Sequence, residues 1–118
     1  MEKITKEALK KKELNKLNRI FKNLPDDKKK FAEGLKRQAA FMFATLAELQ
    51  EQIDDEGVVE LFTQGAQSML REHPATKVYN SMIKNYTTVC KQLLDMLPAD
   101  DRDKNEDELM AFVKKARK

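Results

Sequence analysis

The sequence predicts a mostly α-helical protein with long antiparallel helices, a short β-hairpin or extended segment between helices 2 and 3, and an oligomeric state. Three observations support this fold class. Apolar residues recur at three-, four- and seven-residue steps, which is the spacing of one helix face. The 118 residues include only three Gly and three Pro, and 36% are charged, a composition typical of long helices. Residues 58–72 interrupt the helical pattern with a cluster of β-branched and aromatic side chains.

The first predicted region is a basic N-terminal arm, residues 1–25, which contains a helix from about Lys6 to Leu24. The first half of this helix has little apolar surface to bury, so it is expected to fray when alone. Pro25 ends the helix, because proline disfavours helical conformation in the residue before it.

The second region, residues 26–98, is predicted to be the helical core and the oligomerisation region. Its first helix is expected from Asp26 to Glu56, with carboxylates at the positive end and a left-handed stop at Gly57. At about 45 Å this helix is longer than a compact domain of this size hides, so one face is expected to meet a partner. The next helix runs from Pro74 to about Leu97, and both carry seven-residue apolar series. The residues predicted to mediate oligomerisation are Leu35, Met42, Leu46, Leu49, Ile53, Tyr79, Tyr86 and Leu93.

Between these helices, residues 58–72 are predicted to form a short hairpin. Val58, Val59 and Leu61 favour a strand, and Gly65-Ala66 fits a two-residue turn. An irregular loop is the alternative, because two isolated strands are only marginally stable.

The third region, residues 99–118, is predicted to be an acidic linker followed by a C-terminal helix. Asn105 with Glu108 resembles a capping box that opens this helix. Leu109, Phe112 and Val113 then form a small apolar stripe, which predicts docking onto a partner groove. Packing of the same stripe on the protein's own core or on the next subunit is the alternative.

Residues that could support catalysis are sparse. His73 precedes a proline and is interpreted as a hydrogen-bonded turn residue, while Cys90 lies on an apolar series and is interpreted as a small buried hydrophobe. No Gly-rich phosphate loop and no metal-ligand spacing is found in the sequence, so neither a metal nor a cofactor is expected. The chain is therefore predicted not to be an enzyme. The absence of a signal peptide and of a long apolar run, together with a single cysteine, predicts a cytoplasmic protein without a membrane span.

Positive charge is concentrated near the N-terminus. Residues 1–30 hold eleven Lys/Arg against five Asp/Glu, whereas the remaining residues hold twelve against fifteen. This asymmetry predicts an anionic partner, although a merely solvated helix face is the alternative. Ammonium groups at three- and four-residue steps can follow a phosphate backbone, and Asn15 and Asn18 could read base edges. The candidate DNA-binding residues are Lys10, Lys11, Lys12, Lys16, Arg19 and Lys22.

Residues 14–102 resemble bacteriophage terminase small subunits in the order of their parts. The resemblance is carried by the segment Gly57–Ala66, by Arg71-Glu72-His73-Pro74-Ala75 and by the helix end Leu94-Asp95-Met96-Leu97-Pro98. The family follows a long helix with a glycine, a short extended stretch, a His-Pro or Ser-Pro helix start and a final Leu-x-x-Leu-Pro. Many relatives carry Gly-Leu-Thr-Pro with an arginine three residues later. This chain lacks that Gly and Thr, and its Arg102 comes four residues after the proline.

The resemblance implies a DNA-packaging factor in the cytoplasm of a bacterial host. Small terminase subunits form homo-oligomeric rings, engage double-stranded viral DNA and pass it to a large terminase subunit that carries the ATPase and nuclease. Two alternatives remain open from the residues alone. One is a non-viral helical oligomeric adaptor or nucleic-acid-binding protein, and the other is a small nuclease or nucleotide enzyme.

Overall fold

The computed structural model describes residues 5–116, and the ends of the predicted arm and tail (residues 1–4 and 117–118) lie outside this range. The described part is mostly helical with one two-stranded antiparallel sheet between the second and third helices, as predicted. It measures 62 × 29 × 25 Å along its principal axes. In chain order, the elements are α1 Lys6–Ile20, α2 Asp26–Glu56, β1 Val59–Gln64, β2 Gln67–Glu72, α3 Pro74–Leu94, α4 Ala99–Leu109 and α5 Ala111–Ala116.

Helix α1 is regular from its first turn. The Thr5 hydroxyl accepts a hydrogen bond from the backbone N–H of Ala8 at 3.1 Å, which satisfies one of the unpaired donors at the helix start. The helix ends at Ile20 and not at the predicted Leu24, although the N–H of Phe21 still donates to the carbonyl of Leu17. The intervening turn lets both Phe21 and Leu24 reach the core.

Helix α2 has the predicted bounds. It begins after Pro25 with Asp26 and Asp27 in its first turn, where carboxylates face the positive end of the helix dipole. It ends at Gly57, whose φ of 86° is a positive value that glycine adopts without a Cβ penalty. The ψ of Gly57 is 164°, which is extended and not the predicted left-handed helical value, so the chain leaves directly into a strand.

The hairpin lies where the sequence predicts it. Strands β1 and β2 pair in register from Val59 opposite Glu72 to Gln64 opposite Gln67. Gly65 adopts a φ of 61° in the connecting turn, a conformation that few other residues tolerate.

Helix α3 begins at a cap that the sequence only partly indicates. Nδ1 of His73 accepts a hydrogen bond from the N–H of Ala75 at 3.0 Å, and Pro74 fills the first helical position. His73 is therefore a hydrogen-bonded turn residue, as predicted. The helix ends at Leu94 and not at the predicted Leu97. Beyond it, the N–H groups of Met96 and Leu97 donate to the carbonyls three residues earlier, as in a 3₁₀ turn.

The C-terminal region differs from the prediction. Residues 99–104 are not a linker, because α4 begins at Ala99 with Asp100 and Asp101 in its first turn. Asn105 is not a cap either: it lies inside α4, and its side-chain amide donates to the carbonyl of Asp101 at 2.8 Å. Pro98 sets the start of the helix, and the two carboxylates stabilise its N-terminal end.

The helices pack antiparallel along the chain. Lys36 of α2 contacts Asn18 of α1 and, further along α2, Lys6 lies over the ring of Phe41. Residue numbers therefore fall on α1 as they rise on α2. Helices α2 and α3 are related in the same way, because Phe43 packs against Tyr86 and, further along α2, Asp54 lies near Tyr79. The core between them contains apolar residues of α1, α2 and α3 together with Leu109, Met110 and Val113. No helix within residues 5–116 is long and apolar enough to cross a membrane.

Candidate nucleic-acid interface

The six predicted DNA-binding residues all lie on α1 or in the turn after it, but the structure divides them into two groups. Lys11, Lys12 and Lys22 are exposed and form no ion pair with any residue in the described range. Lys10, Lys16 and Arg19 each have a carboxylate partner. The first group can meet a phosphate without first breaking an internal contact.

The paired group is bound with different strengths. Lys10 lies 3.5 Å from Glu7, and since the two side chains are 40% and 80% exposed, this pair contributes little. Arg19 donates to Glu108 of α4, which is 89 residues away in the sequence. This contact joins α1 to the C-terminal helices and partly neutralises a cation that was predicted to face DNA.

Lys16 has a structural role that its sequence position does not indicate. Its Nζ lies 2.7 Å from Oε1 of Glu13, whose side chain is only 3% exposed. The other carboxylate oxygen of Glu13, Oε2, is buried and accepts no hydrogen bond from the described residues. Lys16 is therefore the compensating charge for a buried carboxylate.

Burial favours the neutral forms of two other groups near Glu13, the Tyr86 phenol and the Cys90 thiol. Burial raises the pKa of the Cys90 thiol to about 11, and burial also raises the pKa of the Tyr86 phenol well above its usual range, with Cys90 and Glu13 adding to the effect. Cys90 has no exposed surface, which confirms the predicted burial, and a buried thiol with a raised pKa is a poor nucleophile.

A shallow groove of about 590 Å³ runs along this side of α1. Its lining includes the apolar side chains of Leu9 and Phe43, the cations Lys12 and Arg19, and Glu108, which pairs with Arg19. The lining thus combines apolar side chains with charges of both signs, so only part of the groove suits a phosphate.

The two asparagines predicted to read base edges differ in whether their side chains are engaged within the protein. Asn15 is exposed, whereas Oδ1 of Asn18 accepts a hydrogen bond from Lys36 at 2.8 Å. Because Lys36 is itself almost fully buried, Asn18 serves to anchor α1 on α2.

The structure adds two lysines to the candidate interface. Lys28 and Lys30, in the first turns of α2, are exposed and unpaired within residues 5–116, while Lys29 lies 4.0 Å from Asp26. Phe31 follows them with 67% of its surface exposed. The run Lys28-Lys29-Lys30 is visible in the sequence, where it contributes to the positive charge of the N-terminal region.

The residues predicted to mediate oligomerisation are buried or half-buried within the single chain. Leu46, Tyr86 and Leu93 are buried in the subunit core, and the other five are half-buried: Leu35, Met42, Leu49, Ile53 and Tyr79. Members of the seven-residue series of α2 and α3 pack in one core cluster, which covers some of their apolar positions fully and others in part. The three fully buried side chains of this set are part of the core of the single chain, and their role in oligomerisation stays a prediction.

The predicted docking stripe is covered as well. Leu109 and Val113 are buried at 1% and 2% exposure, and the half-buried Phe112 stacks edge-on against Phe43 and Tyr86 at centroid distances of 5.4 and 6.0 Å. The tail therefore packs on the protein's own core, which was the alternative to docking. Docking of Leu109, Phe112 and Val113 onto a large subunit stays a prediction, and it would require this stripe to leave the core.

Within residues 5–116, no three His, Cys, Asp or Glu side chains come together in a metal-binding arrangement. His73 is occupied at both ring nitrogens: Nδ1 caps α3, and Nε2 lies 3.5 Å from Glu56.

Comparisons of the chain with protein-family models, with curated proteins and with solved structures find no match.

Proposed function

We propose that this chain is a non-catalytic DNA-packaging factor of the small terminase type, which assembles into a ring, binds double-stranded viral DNA and regulates a large terminase subunit in the bacterial cytoplasm. The observation that carries the DNA-binding part is the charge balance of residues 5–30. Glu7, Glu13 and Asp26 each have a local cationic partner. Five exposed cations are left over against the single carboxylate of Asp27, namely Lys11, Lys12, Lys22, Lys28 and Lys30.

These lysines are suited to phosphate contacts for two reasons. Each ammonium group is already in solvent and has no internal partner to lose, so binding a phosphate releases counterions at little other cost. The lysines also come from adjoining segments, the exposed side of α1 and the start of α2, which the turn at Phe21–Pro25 joins. Lysines without accompanying amide side chains contact the phosphate backbone of DNA and do not distinguish between base sequences.

A ring multiplies this modest contribution. A few phosphate contacts from one subunit give weak binding, but several subunits on the same duplex raise the effective concentration of each further contact. The resemblance to small terminase subunits gives the proposal its biological setting, and the hairpin occurs within the segment that carries this resemblance.

A test of DNA binding should spare Lys16 and Arg19, because both residues pair with carboxylates within the fold. The test variant is Lys11→Gln/Lys12→Gln/Lys22→Gln. The matched control is Lys77→Gln/Lys84→Gln/Lys91→Gln, which removes the same charge from three exposed, unpaired lysines of α3. Fluorescence anisotropy of a labelled duplex is measured over a range of salt concentrations.

Each phosphate contact adds about 0.9 to the slope of log affinity against log salt concentration. The test variant is expected to lose up to about 2.7 in slope per bound subunit, with the control unchanged. Equal losses in both variants would mean that only net charge matters, and no loss in either would place the DNA site elsewhere. Wild-type protein without DNA affinity would favour the non-viral adaptor instead.

A further inference from the structure

The outward face of α2 carries exposed aromatic rings among cations. Phe31 is 67% exposed and Phe41 48%, although the opposite side of the same helix is buried. Residues at three- and four-residue steps share one helix face. Six exposed residues follow these steps here, and we call them the aromatic–basic stripe: Lys30, Phe31, Gly34, Arg37, Gln38 and Phe41. At a rise of about 1.5 Å per residue, the two rings lie about 15 Å apart along the helix.

Gly34 lies between the two rings at the centre of the stripe. A glycine inside a helix is less favourable than an alanine, and a Cβ at position 34 would meet no atom within 4 Å. Packing within the described chain therefore does not require a glycine at this position. Its effect is on the outer surface, where the missing side chain lets a flat group approach the helix backbone.

The cations of the stripe are available to an anionic ligand. Lys30 is exposed and has no ion-pair partner within residues 5–116. Arg37 lies 3.8 Å from Glu33, but the same carboxylate pairs more closely with Lys36, at 3.1 Å. Because Lys36 is almost fully buried, it is the main partner of Glu33, and the exposed Arg37 guanidinium keeps its charge open to solvent.

From these observations we infer that the stripe binds an unpaired nucleic-acid strand. Its bases stack on Phe31 and Phe41, and its phosphates pair with Lys30 and Arg37. Rings interleaved with cations suit a single strand, because every base offers a flat face to a ring and the backbone follows positive charge. A stacked strand advances about 3.4 Å per nucleotide, so the distance between the rings corresponds to about four nucleotides.

Three other occupants fit the stripe less well. The bases of a duplex are stacked on each other, so their faces are not available to the rings. In a contact with a second copy, Lys30 and Arg37 would meet cations of the same stripe, and like charges oppose such a contact. Gly34 and Gln38 separate the rings, so the stripe lacks the continuous apolar face of a membrane-surface helix.

This inference is independent of the proposed duplex contacts, which come from α1 and the start of α2 and share only Lys30 with the stripe. The test uses the full chain and labelled single strands of about twelve nucleotides. An oligothymidylate represents DNA, and an oligouridylate represents RNA. Fluorescence anisotropy measures the affinity of the protein for each strand, and the tighter of the two identifies the preferred source of unpaired bases.

The variants separate aromatic stacking from a general apolar contact. Phe31→Leu keeps an apolar side chain but removes the ring, whereas Phe31→Tyr keeps the ring. Val78→Ala is the matched control, because it shortens an exposed apolar side chain of α3. Circular dichroism checks that the helices remain folded, which is expected because all of these side chains are exposed.

Phe31→Leu is expected to bind the strand about tenfold more weakly, which is the order of loss for one stacked base. Phe31→Tyr and Val78→Ala are expected to bind as the wild type does, and Phe31→Leu/Phe41→Leu should lose more than Phe31→Leu alone. Equal affinity of Phe31→Leu and the wild type would overturn the inference. A similar loss in Val78→Ala, or a wild type without affinity for either strand, would overturn it as well.

Lys30→Gln/Arg37→Gln tests the phosphate contacts. Each contact with a single strand adds about 0.7 to the slope of log affinity against log salt concentration, so this variant is expected to lose up to about 1.4 in slope. Lys77→Gln/Lys84→Gln removes the same charge from α3 and should leave the slope unchanged. Equal slopes for the wild type and Lys30→Gln/Arg37→Gln would overturn the phosphate contacts.

A duplex of the same length distinguishes this site from the proposed duplex site. Phe31→Leu is expected to bind the duplex as tightly as the wild type does, and an equal loss on duplex and single strand would overturn the preference for unpaired bases. A lower mass of Phe31→Leu in light scattering would assign the stripe to a subunit contact, and Phe31-dependent sedimentation with anionic vesicles would assign it to a membrane surface. Duplex binding without strand binding would overturn this inference alone and leave the proposed function intact.

Discussion

The ion pair between Glu13 and Lys16 should make the two residues unequal in their effect on stability. Glu13 is almost fully buried, and one of its carboxylate oxygens lacks a hydrogen-bond partner, whereas the Lys16 side chain retains 26% exposure. Removing the lysine leaves an uncompensated charge inside the protein. Removing the glutamate leaves a lysine that can turn toward solvent.

Lys16→Met is the more damaging change. Loss of one partner from a fully buried pair costs about 3–5 kcal/mol. Because solvent reaches Lys16, we expect the free energy of unfolding to fall by about 2 kcal/mol. Glu13→Leu removes the buried charge and its unpaired oxygen together, so its expected effect is within about 1 kcal/mol of zero. The double variant should resemble Glu13→Leu alone.

Urea unfolding followed by circular dichroism measures these differences at one fixed protein concentration, since assembly would add a concentration-dependent term. A loss of about 2 kcal/mol moves the midpoint by about 1 M urea. Lys10→Met is the matched control on the same helix: its pair with Glu7 is exposed, and methionine has a similar helix propensity. If Glu13→Leu destabilises the protein more than Lys16→Met does, our account of this pair is wrong.

Three further predictions concern the tail, the helix cap and the buried thiol. Deleting residues 105–118 is expected to lower the melting temperature by several degrees or to unfold the protein, because Leu109 and Val113 leave the core; a truncated protein that melts like wild type would favour the docking interpretation. His73→Ala should cost about 1 kcal/mol in urea unfolding by removing the cap of α3, and His73→Asn, which can also cap, should recover most of that loss; equal stability of both variants would contradict the role of Nδ1. Burial raises the pKa of Cys90 to about 11, so its stabilising contribution is complete below pH 9 and is lost as pH rises toward 11. A thiol reagent that becomes coloured on reaction should therefore react with the protein at pH 8 only after denaturant is added, and immediate reaction of the native protein would refute the burial of Cys90. The free energy of unfolding of Cys90→Ala should decline less steeply at high pH than that of the wild type.

Local signals in the sequence were enough for most element boundaries. Pro25, Gly57, Gly65 and Pro74 act through the backbone of their own segment, because proline fixes φ and removes a donor while glycine permits positive φ. The structure ends α2 and forms the hairpin where these residues predict. The prediction placed the start of the last helix at Asn105, because asparagine is a common N-cap residue. Helix α4 instead begins after Pro98, with Asp100 and Asp101 in its first turn, which is the stronger local signal.

The periodic apolar pattern indicated which faces are buried but not what covers them. A seven-residue series buries equally well against another subunit or against another helix of the same chain, and Leu46 and Leu93 are covered by the chain's own helices. For the same reason, the apolar stripe of the tail predicted a contact without identifying its partner. Only the arrangement of α1, α2 and α3 places Phe112 between Phe43 and Tyr86.

For the candidate DNA interface, the sequence by itself determined that the N-terminal region is basic and that its lysines lie on a helix. Tertiary structure decided which cations are available, because availability depends on partners and burial that are remote in the sequence. Arg19 meets a carboxylate 89 residues away, and Lys16 compensates a glutamate whose depth depends on the packing of three helices. Charge is a property of each residue, but its pairing and solvation are properties of the fold, and these leave Lys11, Lys12 and Lys22 as the predicted cations that remain open to a phosphate.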